Sequence, residues 1–376
     1  MRIASVVLNN FVNDNRVYKV ADSLTKRGHK VVVVALLKGD VAEHENYHGI
    51  PVHRIRIKSL SLPDNNKFYG GLKFLEFFLK VVWNYRRFDV IHCNDFEGFM
   101  AGIMVKISRP KVKLVYDSHE YQREKFGLTP FMKKVIGALE RMFIPWSDVF
   151  ITISPSIAKE YQRLYGIKSP FLVLNAPHFS GEIVPSQILK VKLGLPASTK
   201  LFIYQGGFAK SRGIEVLIES FTQERFRALH LVFMGSGPLK AIIAAAEQKS
   251  ENIHLLPSVP YKDLIPFTAS ADAGFVSTQN ICLNNYYCMP NKLFEYIHAE
   301  IPVLSNNLVE CARITREENI GEVIGEYTPD GIWIAIQELL QKDRSVLNRN
   351  LKRAKKSYSW EVQEKVLFEA YSTIGA

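Results

Sequence analysis

The sequence predicts an α/β protein made of two doubly wound parallel sheets that face one another across a cleft. Three observations point there. Short apolar, β-branched runs alternate with helical stretches along the chain, the pattern of βαβ units. The alternation breaks over residues 180–198, around Pro185 and Pro196, and then restarts. The length of 376 residues exceeds what one hydrophobic core usually serves. The expected domains are therefore 1–180 and 181–358, and clefts between domains are where small-molecule sites usually form.

Residues 3–8 form a first strand, 9–15 a polar loop, 17–27 a helix ended by Gly28, and 30–37 a second, β-branched strand. Further buried strands are expected at 52–57, 89–92, 113–117, 149–153 and 171–174. After the break they recur at 201–205, 229–234, 253–256, 273–277 and 302–305, with helical stretches between most of them. The stretch 73–88 mixes Phe74, Leu75, Phe77, Leu79 and Trp83 with Lys73, Lys80, Arg86 and Arg87. It suits either a helix lying on anionic lipid or a crossover helix buried against the sheet. Apolar residues cover more than one of its faces, so the crossover helix is the expectation.

Composition excludes several classes. Hydrophobic residues at 47% and charged residues at 23% exclude disorder and collagen-like fibres. The longest apolar runs fall well short of the ~20 residues of a membrane span. The N-terminus has no small-residue cleavage site and reads as a strand rather than a secretory signal, so a cytoplasmic protein is expected. Cys93, Cys282, Cys288 and Cys311 follow no paired or metal-binding spacing, so neither a disulfide nor a bound metal is expected. Residues 1–180 carry 27 Lys and Arg against 16 Asp and Glu, while 181–376 carry 21 of each, so the whole net charge of +11 lies in the first half. So one-sided a field suits an anionic membrane surface, a phosphate-bearing lipid or an acidic polymer, with an ordinary solubilising surface as the alternative. No nucleic-acid-binding motif accompanies it, and nucleic acid is not an expected partner.

Three constellations fall at the ends of expected strands, where open α/β sheets place their ligands. The first runs from Tyr204 to Glu215 and contains Gly206, Gly207, Lys210, Arg212 and Gly213. Glycines allow close backbone approach, a helix N-terminus favours an anion, and Lys210 and Arg212 add positive charge, so the segment can cradle a diphosphate. The second is Cys288-Met289-Pro290-Asn291-Lys292-Leu293-Phe294-Glu295, in which Pro290 starts a helix and Lys292 and Glu295 share one face. A lysine beside free backbone N–H groups suits phosphate, and a carboxylate one turn on can accept from two vicinal hydroxyls; a solvated ion pair is the plain alternative. The third is His92, Asn94, Asp95, Asp117, His119 and Glu120, which could orient hydroxyls or relay a proton; His92 lies within its strand and reads as structural. Asn9, Asn10, Asp14 and Arg16 suit a ligand with hydroxyls and a phosphate, although Asn13, Asp14 or Asn15 could each cap the following helix, and for Asn15 the cap is preferred. The loop Gly235-Ser236-Gly237 could approach a nucleotide or be a plain tight turn.

The run PNKLFEY followed by PVL, with YQGGFAKSRGIEVLIES, resembles the second domain of the GT-B glycosyltransferases of family 4, the group 1 retaining enzymes. LNNFVNDNRVYKVADSLTKRGHKVVVV, FDVIHCND and KLVYDSHE resemble their first domain. Residues 359–371 resemble their closing Trp-Glu helix, so the segment 359–376 is expected to pack back on the first domain. The resemblance implies two Rossmann-like domains. The first binds the acceptor, a saccharide or lipid-linked sugar; the second binds a nucleotide-sugar donor, without further cofactor. It implies that Arg212 binds the donor diphosphate, that Glu295 holds the ribose and that His119 points at the donor sugar; Lys292 falls where many members have Pro, and its charge is expected to help stabilise the leaving group. Gly206, Gly207, Lys210, Gly235, Tyr287, Pro290, Asn291 and Leu293 fall in the implied donor site, and Asn9, Asn10, Asp14, Arg16 and Asp95 in the acceptor site. Two positions depart from the family: Gly207 stands where an Arg is usual, and Tyr287 where the first carboxylate of an E-x7-E pair is usual. A synthesis of surface polysaccharide or glycoconjugate, at the inner face of the membrane, fits the basic first half. Alternatives are a nucleotide-sugar epimerase or hydrolase and a partner subunit with a decayed donor site. A dinucleotide oxidoreductase is discounted because Leu8-Asn9-Asn10 stands where a GxGxxG would follow the first strand.

Overall fold

Parallel strand pairing organises both halves of the chain. The computed structural model describes residues 1–376 apart from Asn13, 64–66, Ser180, Glu182, Val184, Pro185 and Ala376, and only the backbone of Lys67 and Phe68. The chain divides into unit 1, Met1–Val173 with Gln363–Ala376, and unit 2, Leu174–Val362.

Unit 1 contains β1 (Arg2–Val6), α1 (Asn15–Lys26), β2 (Lys30–Leu36), β3 (His44–Tyr47), β4 (Ile50–Ile55), α2 (Lys67–Tyr85), β5 (Val90–Asn94), α3 (Asp95–Ser108), β6 (Lys113–Ser118), α4 (Pro130–Phe143), β7 (Val149–Thr152), α5 (Pro155–Tyr165) and β8 (Phe171–Leu172). Among the described residues the strands form one sheet in the order β3-β4-β2-β1-β5-β6-β7-β8. Only β3 runs antiparallel, paired with β4 through Tyr47↔Ile50 and His44↔His53. The chain starts at β1, works outward to β4, then crosses back to β5, so the strand order reverses between β1 and β5. Polar side chains start the helices cleanly: Asp14 accepts from Val17 N at 3.2 Å, and Thr129 and Ser154 precede Pro130 and Pro155 at the openings of α4 and α5.

Unit 2 contains α6 (Ile188–Lys192), β9 (Lys200–Gly207), α7 (Ile214–Phe221), β10 (Leu229–Ser236), α8 (Lys240–Glu247), β11 (Ile253–Leu256), α9 (Tyr261–Thr268), β12 (Ala273–Val276), α10 (Leu283–Tyr286), α11 (Asn291–His298), β13 (Val303–Asn306), α12 (Val309–Glu317), β14 (Gly321–Ile324), α13 (Pro329–Gln341) and α14 (Arg344–Ser357). Its sheet has the order β11-β10-β9-β12-β13-β14, all parallel, with the reversal between β9 and β12. The two-residue period of a strand builds a core on each face. Leu201 and Ile203 pack with Leu293 and Ile297 of α11, while Phe202 and Tyr204 pack with Leu217 of α7 and Ile336 of α13.

The last helix, α15 (Trp360–Ser372), joins both units in sequence: its first turn groups with unit 2 and the rest with unit 1. Trp360 N donates to Pro177 O and Glu361 accepts from Phe179 N within unit 2. Tyr371 Oη lies 2.8 Å from His92 Nδ1, and Phe368 lies under Arg27, within unit 1.

The boundaries differ from the sequence expectation of 1–180 and 181–358. The chain leaves unit 1 at Val173, and part of the expected 180–198 linker is α6, whose Leu189 and Lys190 are buried in unit 2. The strand at His44–Tyr47 escaped notice because HENY is polar throughout, and Gly321–Ile324 because only two of its four residues are apolar and β-branched. Pro185 and Asn13 lie outside the described residues.

Gly235 pairs with Gly206 across β10 and β9, and a Cβ on Gly235 would overlap the Gly206 carbonyl oxygen. Gly235→Ala should therefore lower stability by about 2 kcal/mol or more, several degrees in the unit 2 thermal transition. A melting curve indistinguishable from wild type would show that the strands can part at this point.

Candidate functional site

In unit 2 the strand-order reversal opens a crevice beyond the ends of β9 and β12, and the first two constellations meet there. The loop after β9 is tied down by its backbone. Ser277 Oγ donates to Arg212 O at 2.6 Å, Gln279 N to Ser211 O at 2.8 Å, and Tyr327 Oη to Gly213 O at 3.1 Å. Gly213 sits at φ 70°, where any Cβ would overlap the Ser277 carbonyl, so only glycine permits the loop to lie this close to β12. The Arg212 guanidinium, half-buried, makes no hydrogen bond or ion pair among the described residues.

Helix α11 delivers the other half. Lys292 is 8% exposed, and its Nζ finds no hydrogen-bond partner, lying instead 3.6 Å from the Tyr204 ring centroid. Burial, and next the charge of Arg212, pull its pKa down to about 7, with Glu295 opposing. A buried, unsatisfied ammonium is costly, and a bound anion would relieve it. Gly206 at φ 112° leaves room for the Lys292 stem, which runs 3.9 Å from where a Cβ would be. Glu295, one turn along, accepts from Gln205 Nε2 at 2.5 Å, and Gln205 Oε1 in turn accepts from Thr268 Oγ1 at 2.6 Å. That chain fixes the carboxylate at the end of β9. Two cations for an anion and an oriented carboxylate for hydroxyls are what the crevice offers.

The other predicted residues of this site take plainer roles. Lys210 is exposed. Pro290 is the N-cap of α11 rather than its first residue, Asn291 opens the helix with its Oδ1 3.0 Å from Asn175 Nδ2, and the Leu293 side chain is wholly in the core. Gly235 is explained by strand packing. Gly207 ends β9, exposed, its carbonyl accepting from Tyr204 Oη. The Tyr287 ring lies tilted against Tyr286, centroids 5.3 Å apart, in the loop before α11. Sequence reasoning placed Tyr204 and Gln205 in the first constellation without giving either a role, and missed Ser277 and Thr278, the latter with a buried Oγ1 that has no partner. The polar triplet Ser277-Thr278-Gln279 directly after a buried strand was the available signal.

In unit 1 the third constellation gathers at the ends of β5 and β6. Arg16 is buried and forks onto Asp117, Nη2 to Oδ1 at 2.6 Å and Nε to Oδ2 at 3.2 Å, and its Nη1 donates to Val173 O. Burial alone would raise the Asp117 pKa, but Arg16, then His119, hold it well below the ordinary carboxylate range. His119 has Nε2 3.3 Å from Asp117 Oδ2 and Nδ1 3.6 Å from Asp95 Oδ2, with its ring 17% exposed. Burial disfavours the charged ring, but Asp95 and Asp117 outweigh it and raise its pKa. Asp95, at φ 58°, also accepts from His119 N at 3.0 Å. His119 and Asp95 are thus brought together on a half-open edge, whereas Arg16 is buried with its guanidinium engaged by Asp117 and the Val173 carbonyl. Asp14, not Asn15, caps α1, and Asn9 supports it by donating to Asp14 Oδ2 at 2.7 Å. Asn10 donates to Lys38 O at 3.1 Å. Among the described residues, Glu43, His44 and His53 have potential metal-ligand atoms within 4.8 Å of one another, but Glu43 binds Arg56 and His53 is held by Tyr85.

Two such units, each with polar groups gathered at its strand reversal, define the GT-B class. The profile described as Glycosyltransferase Family 4 matches residues 14–175, and that described as Glycosyl transferases group 1 matches residues 199–342. The chain is similar to an uncharacterized glycosyltransferase of Methanocaldococcus jannaschii, at 28% identity over 235 residues, 59% of this chain and 58% of that protein. It is also similar to a protein of Bacillus subtilis named for a teichuronic acid biosynthesis glycosyltransferase, TuaC, at 21% identity over 266 residues, 65% and 62% of the two. The match thus spans less than two thirds of the length of either relative. Sucrose-phosphate synthase from Thermosynechococcus elongatus shares the fold with a TM-score of 0.81 at 16% identity, over 100% of this chain and 99% of that one. Anabaena HepE in complex with UDP-glucose does so with a TM-score of 0.75 at 15% identity, over 99% and 100%. The chain belongs to the GT-B glycosyltransferases of family 4, group 1.

Lys292→Met should raise the melting temperature of the ligand-free protein, by the equivalent of about 1–3 kcal/mol, because it removes a buried charge without a partner. A variant less stable than wild type would contradict that burial. Arg16→Ala leaves Asp117 buried and unpaired, and should cost about 3–5 kcal/mol in denaturant unfolding of unit 1. An unchanged midpoint with a weakened acceptor affinity would return Arg16 to the acceptor site.

Proposed function

We propose that the protein is a retaining glycosyltransferase, moving a hexosyl or related sugar from a nucleoside diphosphate to a saccharide or lipid-linked acceptor. Its place would be in cell-surface polysaccharide or glycoconjugate synthesis, at the inner face of the membrane. The observation that carries this is Lys292, a buried ammonium without a hydrogen-bond partner, beside Arg212 and one turn from Glu295. That trio matches a diphosphate with a ribose attached. HepE, a structure of the same fold, holds UDP-glucose, which makes uridine diphosphate the first base to test.

As the bond between the anomeric carbon and the diphosphate oxygen breaks, negative charge develops on the leaving group. Arg212, Lys292 and the first N–H groups of α7 and α11 stabilise it, with no metal needed for that charge. The acceptor hydroxyl passes its proton to the departing phosphate oxygen on the same face, which gives retention without a carboxylate nucleophile. In unit 1, His119 between Asp95 and Asp117 is the group suited to binding or protonating a hydroxyl. Tyr287 and Gly207, in place of a Glu and an Arg, favour one second reading, a partner subunit that binds the donor without transferring it.

A thermal-shift panel of UDP, GDP, TDP, ADP, CMP and NAD separates these. A nucleoside diphosphate at 100 times its Kd contributes ~2.7 kcal/mol and should raise the melting temperature by several degrees. The shift should disappear in Glu295→Ala and Arg212→Ala. A shift from one diphosphate with no transfer to any saccharide or lipid-linked acceptor would favour the partner subunit, and no shift from any would sink the donor site.

A further inference from the structure

Helix α2 has two apolar faces. Phe77, Val81 and Tyr85, four apart, are buried in unit 1, as a crossover helix requires. On the opposite side of the helical wheel Leu72, Leu75, Leu79 and Trp83 form a second stripe, all exposed, Trp83 at 77%. A helix already anchored by one face gains nothing within the unit from the other. Helix α4 repeats the pattern: it buries Ile136 and Glu140 and exposes Phe131, at 71%, and Met142, with Lys134 and Arg141 exposed beside them. Helix α2 packs on α3, and α3 and α4 are consecutive crossovers between β5, β6 and β7, so by the handedness of such crossovers all three lie on one face of the sheet.

Cations border the exposed stripes. The Arg86 guanidinium lies 5.9 Å from the Trp83 ring centroid, Arg87 is exposed next to it, and Arg109 at the end of α3 donates to Arg86 O beside the exposed Ile107. The acids are engaged elsewhere. Glu76, the one acid of α2, accepts from Lys58 N and Ser59 N at 2.8 Å each and pairs with Lys80. Glu140, the one acid of α4, is buried among Tyr116, Tyr161 and Tyr165.

We propose that this face of unit 1 docks on the anionic surface of a bilayer, with Leu75, Leu79, Trp83 and Phe131 entering the headgroup–acyl boundary and Arg86, Arg87, Lys134 and Arg141 meeting lipid phosphates. Two parallel stripes flanked by cations fit a fluid, negatively charged sheet, which needs no shaped counter-surface. The proposal rests on the membrane location in the proposed function and not on the nucleotide site.

Co-sedimentation of the full chain with phosphatidylcholine vesicles, with and without phosphatidylglycerol, tests it. Binding is expected only with phosphatidylglycerol and should weaken several-fold at high salt. The double variant Leu75→Glu, Leu79→Glu should lose ~10-fold or more of that affinity, with its melting temperature and UDP-induced shift unchanged. Those two controls separate a failure of this surface from a misfolded variant and from a failure of the donor site. Binding that ignores lipid charge, or that survives the double variant, overturns the proposal. So does a concentration-dependent dimer that the double variant dissolves, since a second copy of the chain would then cover the stripe.

Discussion

Parallel strand pairing is the constraint on which both units depend. A strand that continues parallel to its neighbour must be re-entered from the same end, so every βα turn collects at one edge of its sheet. In each unit the order reverses once, between β1 and β5 and between β9 and β12, and at the reversal neighbouring turns leave in opposite directions and open a crevice. Residues far apart in sequence therefore meet: Gln205 with Glu295, Arg16 with Asp117. The same constraint buries both faces of the strands, which is why the chain needs so many helices to cover them.

The two crevices treat charge oppositely. In unit 1 the buried Asp117 is satisfied by a forked Arg16 and flanked by His92 and His119, and the His119–Asp95 pair lies on its half-open edge. In unit 2 the buried Lys292 has no hydrogen-bond partner and sits over the face of a tyrosine, and its neighbour Arg212 repels it more strongly than Glu295 attracts it. A fold tolerates such an unpaired charge where a ligand completes it. The surrounding hydrogen bonds, from Thr268 through Gln205 to Glu295 and from Ser277 to the Arg212 backbone, hold that geometry ready before any ligand arrives, and so reduce the entropy cost of binding.

Much of this was legible in the sequence because the signals were local. The β-branched runs KVVVVAL and LFIY mark strands directly, and the glycine-rich turn and the PNKLFE helix start are chemistry written in consecutive residues. What was not legible depended on partners distant in sequence. Arg16 read as a site residue because nothing nearby shows that Asp117 would claim it. Gly235 read as a nucleotide contact or a tight turn, and the carbonyl of Gly206 on the next strand, which also forbids a Cβ there, lies 29 residues away in sequence. The polar strand β3 has no period-2 apolar signal and exists only because β4 offers it an edge. The outer stripe of α2 was visible as composition, but which of its faces packs inward required the fold.

The account turns on Lys292 being a buried ammonium kept for an anion. The most direct measurement is an NMR titration of the Lys292 ammonium, assigned against Lys292→Met, without and with UDP. In the free protein it should lose its proton near pH 7, and UDP should move the titration back up toward the ordinary lysine range, because a neighbouring diphosphate favours the charged form. A lysine that already titrates in the ordinary range without ligand, or whose titration UDP leaves in place, would contradict it.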